Sequence, residues 1–268
     1  MDRYVVIGNP VSHSLSPAIH ARFAAAAGEA MEYATLLVAL DRFEVDVKRF
    51  FDEGGKGANV TLPFKVNAYR WAGTRSERAR VAGAANFLAM RAGGVEADNT
   101  DGAGLVADLT GNLGVALKAK RVLMLGAGGA ARGVIAPLIA QGPARIVIAN
   151  RTVLRARELA ARFEGVEAAA LDAIPAIDFD LIVNATSTST HGEAAPIPDR
   201  VLERTAFAYD LAYGPSAKAF VERARGCGAR ASDGLGMLVE QAAESFHLWR
   251  GKRPATAAIL AELRARVA

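Results

Sequence analysis

Val122-Leu123-Met124-Leu125-Gly126-Ala127-Gly128-Gly129-Ala130-Ala131 joins a short apolar run to a glycine turn and an alanine-rich segment. The run reads as a strand, and the stretch Ala130–Ala140 reads as the helix that follows. Gly126, Gly128 and Ala131 fit the pattern G-x-G-x-x-A, and the strand before and helix after supply the setting in which that pattern marks a dinucleotide site. The first glycine allows a tight turn, the second lets a pyrophosphate approach the backbone, and a small third residue lets helix and strand pack closely. Free amides at the helix start then face the anion, with the positive end of the helix dipole behind them. Gly126, Ala127, Gly128, Gly129 and Ala130 are therefore candidate cofactor contacts.

Working outward, Lys120-Arg121 introduces the first strand, and Gln141-Gly142-Pro143 turns the chain into a second at Arg145–Ala149. Leu181–Val183 and Ala206–Leu211 continue the series, so four strands with helices between them over residues 120–211 describe one nucleotide-binding unit. The end of the second strand selects the cofactor. NAD sites usually place a carboxylate there for the ribose 2′-hydroxyl, but this chain has Asn150-Arg151-Thr152, with Arg155 one helical turn on. Two guanidiniums and a hydroxyl match a 2′-phosphate. Two cations at a helix start are also unfavourable unless an anion joins them. The expected cofactor is NADP(H).

Upstream, Tyr4–Ile7, Tyr33–Leu40 and Gly57–Thr61 read as strands, and Ser16–Ala27 and Phe43–Phe51 as helices, an alternation that predicts an α/β fold with mainly parallel sheets. A polar turn near residue 101 leads into a helix over Gly104–Asn112. Met237–Trp249 is amphipathic and ends near Gly251. Of 268 residues, 51% are hydrophobic and 22% charged, which excludes a disordered chain. No stretch reaches the ~20 unbroken apolar residues of a membrane span, and the start lacks a secretory apolar region. Cys227 is the one cysteine, so no internal disulfide forms and a reducing cytoplasm is expected. The net charge of +4 is spread over arginines with acids close by, as in Arg155-Ala156-Arg157-Glu158, and aromatic residues make up 7%. That pattern predicts no nucleic-acid partner. No metal site is expected.

Three polar clusters lie outside the nucleotide-binding unit: Ser12-His13-Ser14-Leu15-Ser16-Pro17, Asn59-Val60-Thr61-Leu62-Pro63-Phe64-Lys65, and Asn86 with Asp98-Asn99-Thr100-Asp101-Gly102. Each has an ordinary reading: Ser16-Pro17 as a helix cap, the Asn and Asp runs as turns, Lys65 as a solvated lysine. Hydroxyls, amides, one lysine and one aspartate at strand ends also suit a small polyhydroxylated ligand.

Taken in order, these clusters resemble the shikimate dehydrogenase family. The resemblance runs the length of the chain, through Gly-Asn-Pro-Val-Ser-His-Ser-Leu-Ser-Pro at 8–17, Asn-Val-Thr-Leu-Pro-Phe-Lys at 59–65 and Ala-Gly-Ala-Ala-Asn at 82–86. It continues with Asp-Asn-Thr-Asp-Gly at 98–102, the glycine turn, Asn-Arg-Thr at 150–152 and Asn-Ala-Thr-Ser at 184–187. Asp-Leu-Ala-Tyr at 210–213 and Gly-Leu-Gly-Met-Leu-Val-Glu-Gln-Ala at 234–242 complete it. The resemblance implies a discontinuous substrate-binding α/β domain (residues 1–101 and 236–268) and a Rossmann-type NADP-binding domain (residues 102–235). It implies reversible NADPH-dependent reduction of 3-dehydroshikimate to shikimate by a monomer or homodimer. Lys65 and Asp101 then form the catalytic pair. Ser14, Ser16, Asn59, Thr61, Asn86, Tyr213 and Gln241 contact or neighbour substrate. Leu211, Gly234 and Glu77 join the glycine turn and Asn150–Arg155 around the cofactor.

Four positions depart from the family pattern: Phe87 where Thr is usual, Ala85 for Val, Leu211 for Met, and Lys218-Ala219-Phe220 for Thr-Pro-Phe. None removes a catalytic group; they bear on packing near the hinge and nicotinamide. Reduction of a ketone leaves charge on oxygen, which Lys65 can polarise and protonate. Asp101 beside it should hold the lysine and favour its charged form. Closure of two domains is expected to turn on Asp101–Gly104 and Ser232–Gly236. Two rival readings are a quinate/shikimate dehydrogenase of relaxed specificity and a non-catalytic NADPH- or shikimate-binding regulator.

Overall fold

A computed structural model describes residues 1–189, 193 and 195–267. Contacts divide the chain into two compact units, Met1–Gly104 with Leu238–Glu262, and Leu105–Met237 with Leu263–Ala268. The last residues group with the second unit, where the sequence reading assigned residues 236–268 to the first.

In the first unit, β1 (Asp2–Gly8), α1 (Ser16–Ala27), β2 (Met31–Leu37), α2 (Phe43–Asp52), β3 (Gly57–Val60) and α3 (Lys65–Trp71) alternate. Then come β4 (Thr74–Arg75), α4 (Glu77–Ala82), β5 (Phe87–Arg91), β6 (Gly94–Asp98) and the start of α5 (Asp101–Ala107). The strands form one sheet in the order β2-β1-β3-β5-β6-β4. This sheet is mixed: β1 is parallel to β2 and β3, while β5 runs antiparallel to both β3 and β6. A hairpin between β5 and β6, closed by Ala92-Gly93, therefore interrupts a fold whose other strand pairs, apart from β3 with β5, are parallel as expected. Val5, Ile7, Ala58, Val60 and Leu88 point to one face and meet Phe43, Phe50 and Phe64.

That hairpin positions the polar clusters. Because β5 is reversed, its first residue pairs near the far ends of its neighbours, Phe87 with Asn59, one residue before the end of β3, on one side and with Asp98, the last of β6, on the other. Asn86 thus sits at the edge where β3 and β6 release the chain toward Lys65 and Asp101. Phe64, buried and packed 5.1 Å from Phe43, anchors the start of α3.

The second unit contains β7 (Arg121–Leu125), α6 (Gly129–Ile139), β8 (Arg145–Asn150), α7 (Val153–Ala160), β9 (Val166–Ala170), β10 (Phe179–Asn184), α8 (Asp199–Leu202), β11 (Thr205–Asp210), α9 (Lys218–Gly226) and β12 (Arg230–Ser232). Among the described residues the unit has six strands, two more than the sequence predicts. All are parallel, in the order β12-β11-β10-β7-β8-β9. Counted within the unit this is 3-2-1-4-5-6, with the order reversing between β7 and β10, the arrangement of a Rossmann-type sheet. Both faces are covered, Val122 and Met124 by Val134 and Leu138, and Leu123 and Leu125 by Leu202 and Phe220, as parallel sheets require. The helix expected over Gly104–Asn112 begins earlier, at Asp101, and widens into a π-helical turn at Asp108–Asn112.

The chain ends with α10 (Leu235–Arg250) and α11 (Ala257–Val267). Gln241, Ser245 and Trp249 recur every fourth residue on α10 and so share one stripe. Trp249 Nε1 donates to Leu88 O at 3.1 Å and stacks on Phe87 at 5.0 Å. A Cβ on Gly57 would collide with the Trp249 indole, so the stripe lies tight against the sheet. Among the described residues no helix is long and apolar enough to cross a membrane.

Candidate active site

Lys65 is the first residue of α3 and Asp101 the first of α5, so each is delivered by a strand end and held by the helix it opens. Lys65 Nζ donates to Asp101 Oδ2 at 2.6 Å, with the lysine side chain 16% and the aspartate side chain 6% exposed. The other carboxylate oxygen, Oδ1, accepts from Asn86 Nδ2 at 2.9 Å. Asp101 also donates its own N–H to Asn99 Oδ1 at 3.1 Å, which ties down the helix start. Both oxygens of this carboxylate are thus spoken for by donors, and it is well placed to fix the ammonium beside it.

Asn86 is the hub. Its Oδ1 accepts the Thr100 N–H at 2.7 Å, and its Nδ2 reaches Gln241 Oε1 at 3.1 Å as well as Asp101. Behind it, Asn59 Nδ2 donates to Ser245 Oγ at 2.9 Å, and Tyr33 OH donates to Asn59 Oδ1 at 2.7 Å. Burial pushes the Tyr33 hydroxyl well above its ordinary pKa, so it stays a donor. Asp98, the first residue of the Asp-Asn-Thr-Asp-Gly run, serves another purpose. Burial alone would raise its pKa, but Arg78, Ser76 and the Asn99 N–H outweigh that and hold it below the ordinary value. Arg78 spans from Asp98 Oδ2 at 2.5 Å to Glu244 Oε1 at 2.9 Å, tying β6 to α10.

Ser14 and Ser16 lie at the start of α1. Leu15, and not Ser16, is the N-cap; Ser14 Oγ accepts the Ser16 N–H at 3.3 Å, and Ser16 is buried. Thr61 is half-buried, with its N–H on Ile7 O at 2.8 Å. Lys65, Asp101, Asn86, Gln241 and Asn59 are joined by direct hydrogen bonds, whereas Ser14, Ser16 and Thr61 have no direct bond to them. Tyr213 and Leu211 belong to the second unit, after β11. Glu77 belongs to the first, at the start of α4, with its side chain 76% exposed and paired to Arg80 at 3.1 Å.

In the second unit, Gly126 has φ +99°, a conformation that favours glycine, and a Cβ there would lie 2.8 Å from Ala185 O. Gly128 is the N-cap of α6, followed by Gly129 and Ala130 in its first turn. Nothing lies within 4 Å of where a Gly128 Cβ would sit, so the protein's own packing does not demand glycine there. Asn150 Nδ2 donates to Thr152 O at 2.9 Å, while Arg151, Thr152 and Arg155 are exposed around the start of α7. Gly234 packs against Leu211, whose carbonyl oxygen would be 2.5 Å from a Cβ at 234.

The comparisons with known proteins match this layout. Residues 6–88 fit the shikimate dehydrogenase substrate binding domain, 108–212 the shikimate / quinate 5-dehydrogenase model, and 234–264 the shikimate 5'-dehydrogenase C-terminal domain. Shikimate dehydrogenase (NADP(+)) of Cupriavidus necator is 52% identical over 98% of this chain and 94% of its own. The chain belongs to the shikimate dehydrogenase family.

Two solved members of its structural neighbourhood agree. An Ael1 enzyme from Pseudomonas putida is 46% identical with a TM-score of 0.92, covering 98% of each chain. Shikimate 5-dehydrogenase from Thermus thermophilus, solved with NADP(H) and shikimate, is 34% identical with a TM-score of 0.88 over 99% of each. Within this family the four departures now have addresses. Phe87 turns to Trp249, Ala85 is fully buried, Phe220 fills the second unit's core and Leu211 is half-buried. Sequence reasoning missed the parts Thr100, Ser245, Tyr33 and Arg78 play in the first unit. A signal existed for Ser245, since it falls one helical turn after Gln241.

Proposed function

We propose that this chain catalyses the reversible NADPH-dependent reduction of 3-dehydroshikimate to shikimate, with Lys65 and Asp101 as the acid–base pair. The observation that carries the reading is the 2.6 Å contact between Lys65 Nζ and Asp101 Oδ2 inside a ring of buried amides. Family membership supplies the substrate class, and the ring supports it with amide groups suited to a molecule bearing hydroxyls.

The second unit fits NADP(H). Gly126 opens the turn, and the open side of Gly128 suits pyrophosphate approach to the α6 amides. Arg151 and Arg155 flank a helix start with no acid in its first turn, which suits a 2′-phosphate. Asn150, Thr152, Leu211 and Gly234 complete the cofactor set, with Glu77 from α4.

When bound, NADPH supplies the hydride that the C3 carbonyl receives. Lys65 polarises that carbonyl and delivers the proton to its oxygen; in the oxidative direction the same amine takes the hydroxyl proton. Asp101 holds Nζ in place, and Asn86 holds Asp101 in turn. Ser14, Ser16, Asn59, Thr61, Asn86, Tyr213 and Gln241 orient the ring and its substituents. The enzyme works in the cytoplasm, a placement that the single Cys227 supports.

Growth of NADPH absorbance on mixing the protein with shikimate and NADP+ tests the reading. Quinate and NAD+ run in parallel should give little signal. No turnover with any pair would leave a binding protein, and quinate with NAD+ as the best pair would make the specificity relaxed.

A further inference from the structure

Gln241 is held by more groups than a binding residue needs. Its Nε2 donates to Leu238 O at 2.9 Å, a backbone oxygen that can only accept. Its Oε1 lies 3.1 Å from Asn86 Nδ2 and 3.3 Å from Thr100 Oγ1. The Asn86 amide cannot be reversed, because the Thr100 backbone N–H, which can only donate, points at Oδ1 from 2.7 Å. Asn86 Nδ2 has three acceptors within reach, Asp101 Oδ1 and Thr100 Oγ1 at 2.9 Å and Gln241 Oε1 at 3.1 Å. The Thr100 hydroxyl lies 3.2 Å from both Ser245 Oγ and Asn86 Oδ1 and 3.3 Å from Gln241 Oε1. Ser245 Oγ in turn receives from Asn59 Nδ2 at 2.9 Å. Thr100 Oγ1 is thus the point where the Asn86 amide, the Gln241 amide and the Ser245 hydroxyl meet. Thr100 and Ser245 have no exposed surface, so water does not substitute for a missing link.

We infer that Thr100 is a positioning residue for substrate binding: with Ser245 behind it, its hydroxyl bridges the Asn86 and Gln241 amides and holds Gln241 with its second Nε2–H free for the substrate. The substrate atom facing it is then an acceptor, a hydroxyl or carboxylate oxygen. The inference rests on Gln241 being a substrate contact, as proposed above.

The test is steady-state kinetics of the full chain with shikimate and NADP+, comparing Thr100→Val, Thr100→Ser and Gln241→Ala. Thr100→Val keeps the volume and removes the link. It should raise KM for shikimate about tenfold, the worth of one buried hydrogen bond, while kcat falls less than about threefold and KM for NADP+ holds. Thr100→Ser should restore the wild-type KM. An unchanged KM in Thr100→Val, or equal losses in Thr100→Val and Thr100→Ser, overturns the inference. If Gln241→Ala raises KM in that case, the substrate reading survives; if Gln241→Ala leaves KM unchanged, both fall. Should Thr100→Val fail to fold, Ser245→Ala cuts the same chain one step back, and a wild-type KM there overturns the inference equally.

Discussion

Lys65 and Arg151 are both cations at helix starts, yet the protein treats them in opposite ways. Lys65 is mostly buried, bound to a carboxylate that is bound to an amide that is bound to the backbone. Arg151 and its neighbour Arg155 are exposed and have no ion-pair partner among the described residues. The first arrangement fixes a group before substrate arrives, which suits a residue that must meet one atom in one geometry. The second leaves charge to be completed by a ligand, which suits recognition of a phosphate with freedom to adjust. Residues of the first kind contribute to folding as well as chemistry, whereas those of the second kind cost the folded chain little and act when the anion is bound.

The contrast is sharpest in kinetics. Lys65→Ala should lower kcat by about 10²–10⁴-fold, the usual worth of a general acid, with KM for shikimate little changed. A near-wild-type kcat would break the assignment of Lys65 to proton transfer. Arg151→Ala should act on cofactor binding, raising KM for NADPH about 10- to 100-fold, as loss of a charge-assisted hydrogen bond predicts. KM for NADH should barely move and thermal stability should hold. Equal losses for NADPH and NADH would remove the 2′-phosphate role.

The same contrast explains what could be read from the sequence. The turn at Gly126–Ala131 and the cations at Arg151 and Arg155 are local signals, and a local signal survives without knowledge of the fold. Strand β9, Val166-Glu167-Ala168-Ala169-Ala170, escaped because alanine is a poor strand former, and β12 because three residues carry no period. The β5–β6 hairpin closes on Ala92-Gly93, which is not one of the Asn-Gly or Asp-Gly pairs that mark such a turn in a sequence. In the first unit the polar clusters were visible, and the resemblance attached roles to them, but their wiring was not visible. Thr100 and Ser245 meet across 145 positions, and Arg78 reaches Glu244 across 166. Such contacts are created by the reversed β5 and by the stripe of α10, and neither has a signature near the residues it brings together.

Burial in the first unit has a consequence that the exposed arginines do not share. His20 is fully buried between Tyr33, stacked at 4.2 Å, and the edge of Phe23 at 5.9 Å, with Trp249 at 5.4 Å. Among the described residues neither ring nitrogen has a hydrogen-bond partner. Burial lowers its pKa from 6.5 to about 3, and the nearby Asn59 offsets only part of that effect. The folded chain therefore keeps His20 neutral where the unfolded chain protonates it, and the unfolded state binds the extra proton. Stability tied to this residue is complete above about pH 6.5 and is lost as pH falls toward 3, by about 1.4 kcal/mol per unit. His20→Phe keeps the aromatic contacts and removes the titration. Urea unfolding of both proteins at pH 7 and pH 5 should then show the wild type losing about 2 kcal/mol more than the variant. Arg151→Ala in the same pair of conditions should track the wild type, since an exposed arginine does not titrate there. If wild type and His20→Phe lose the same amount, the acid sensitivity lies elsewhere, and burial behind Asn59 carries no such cost.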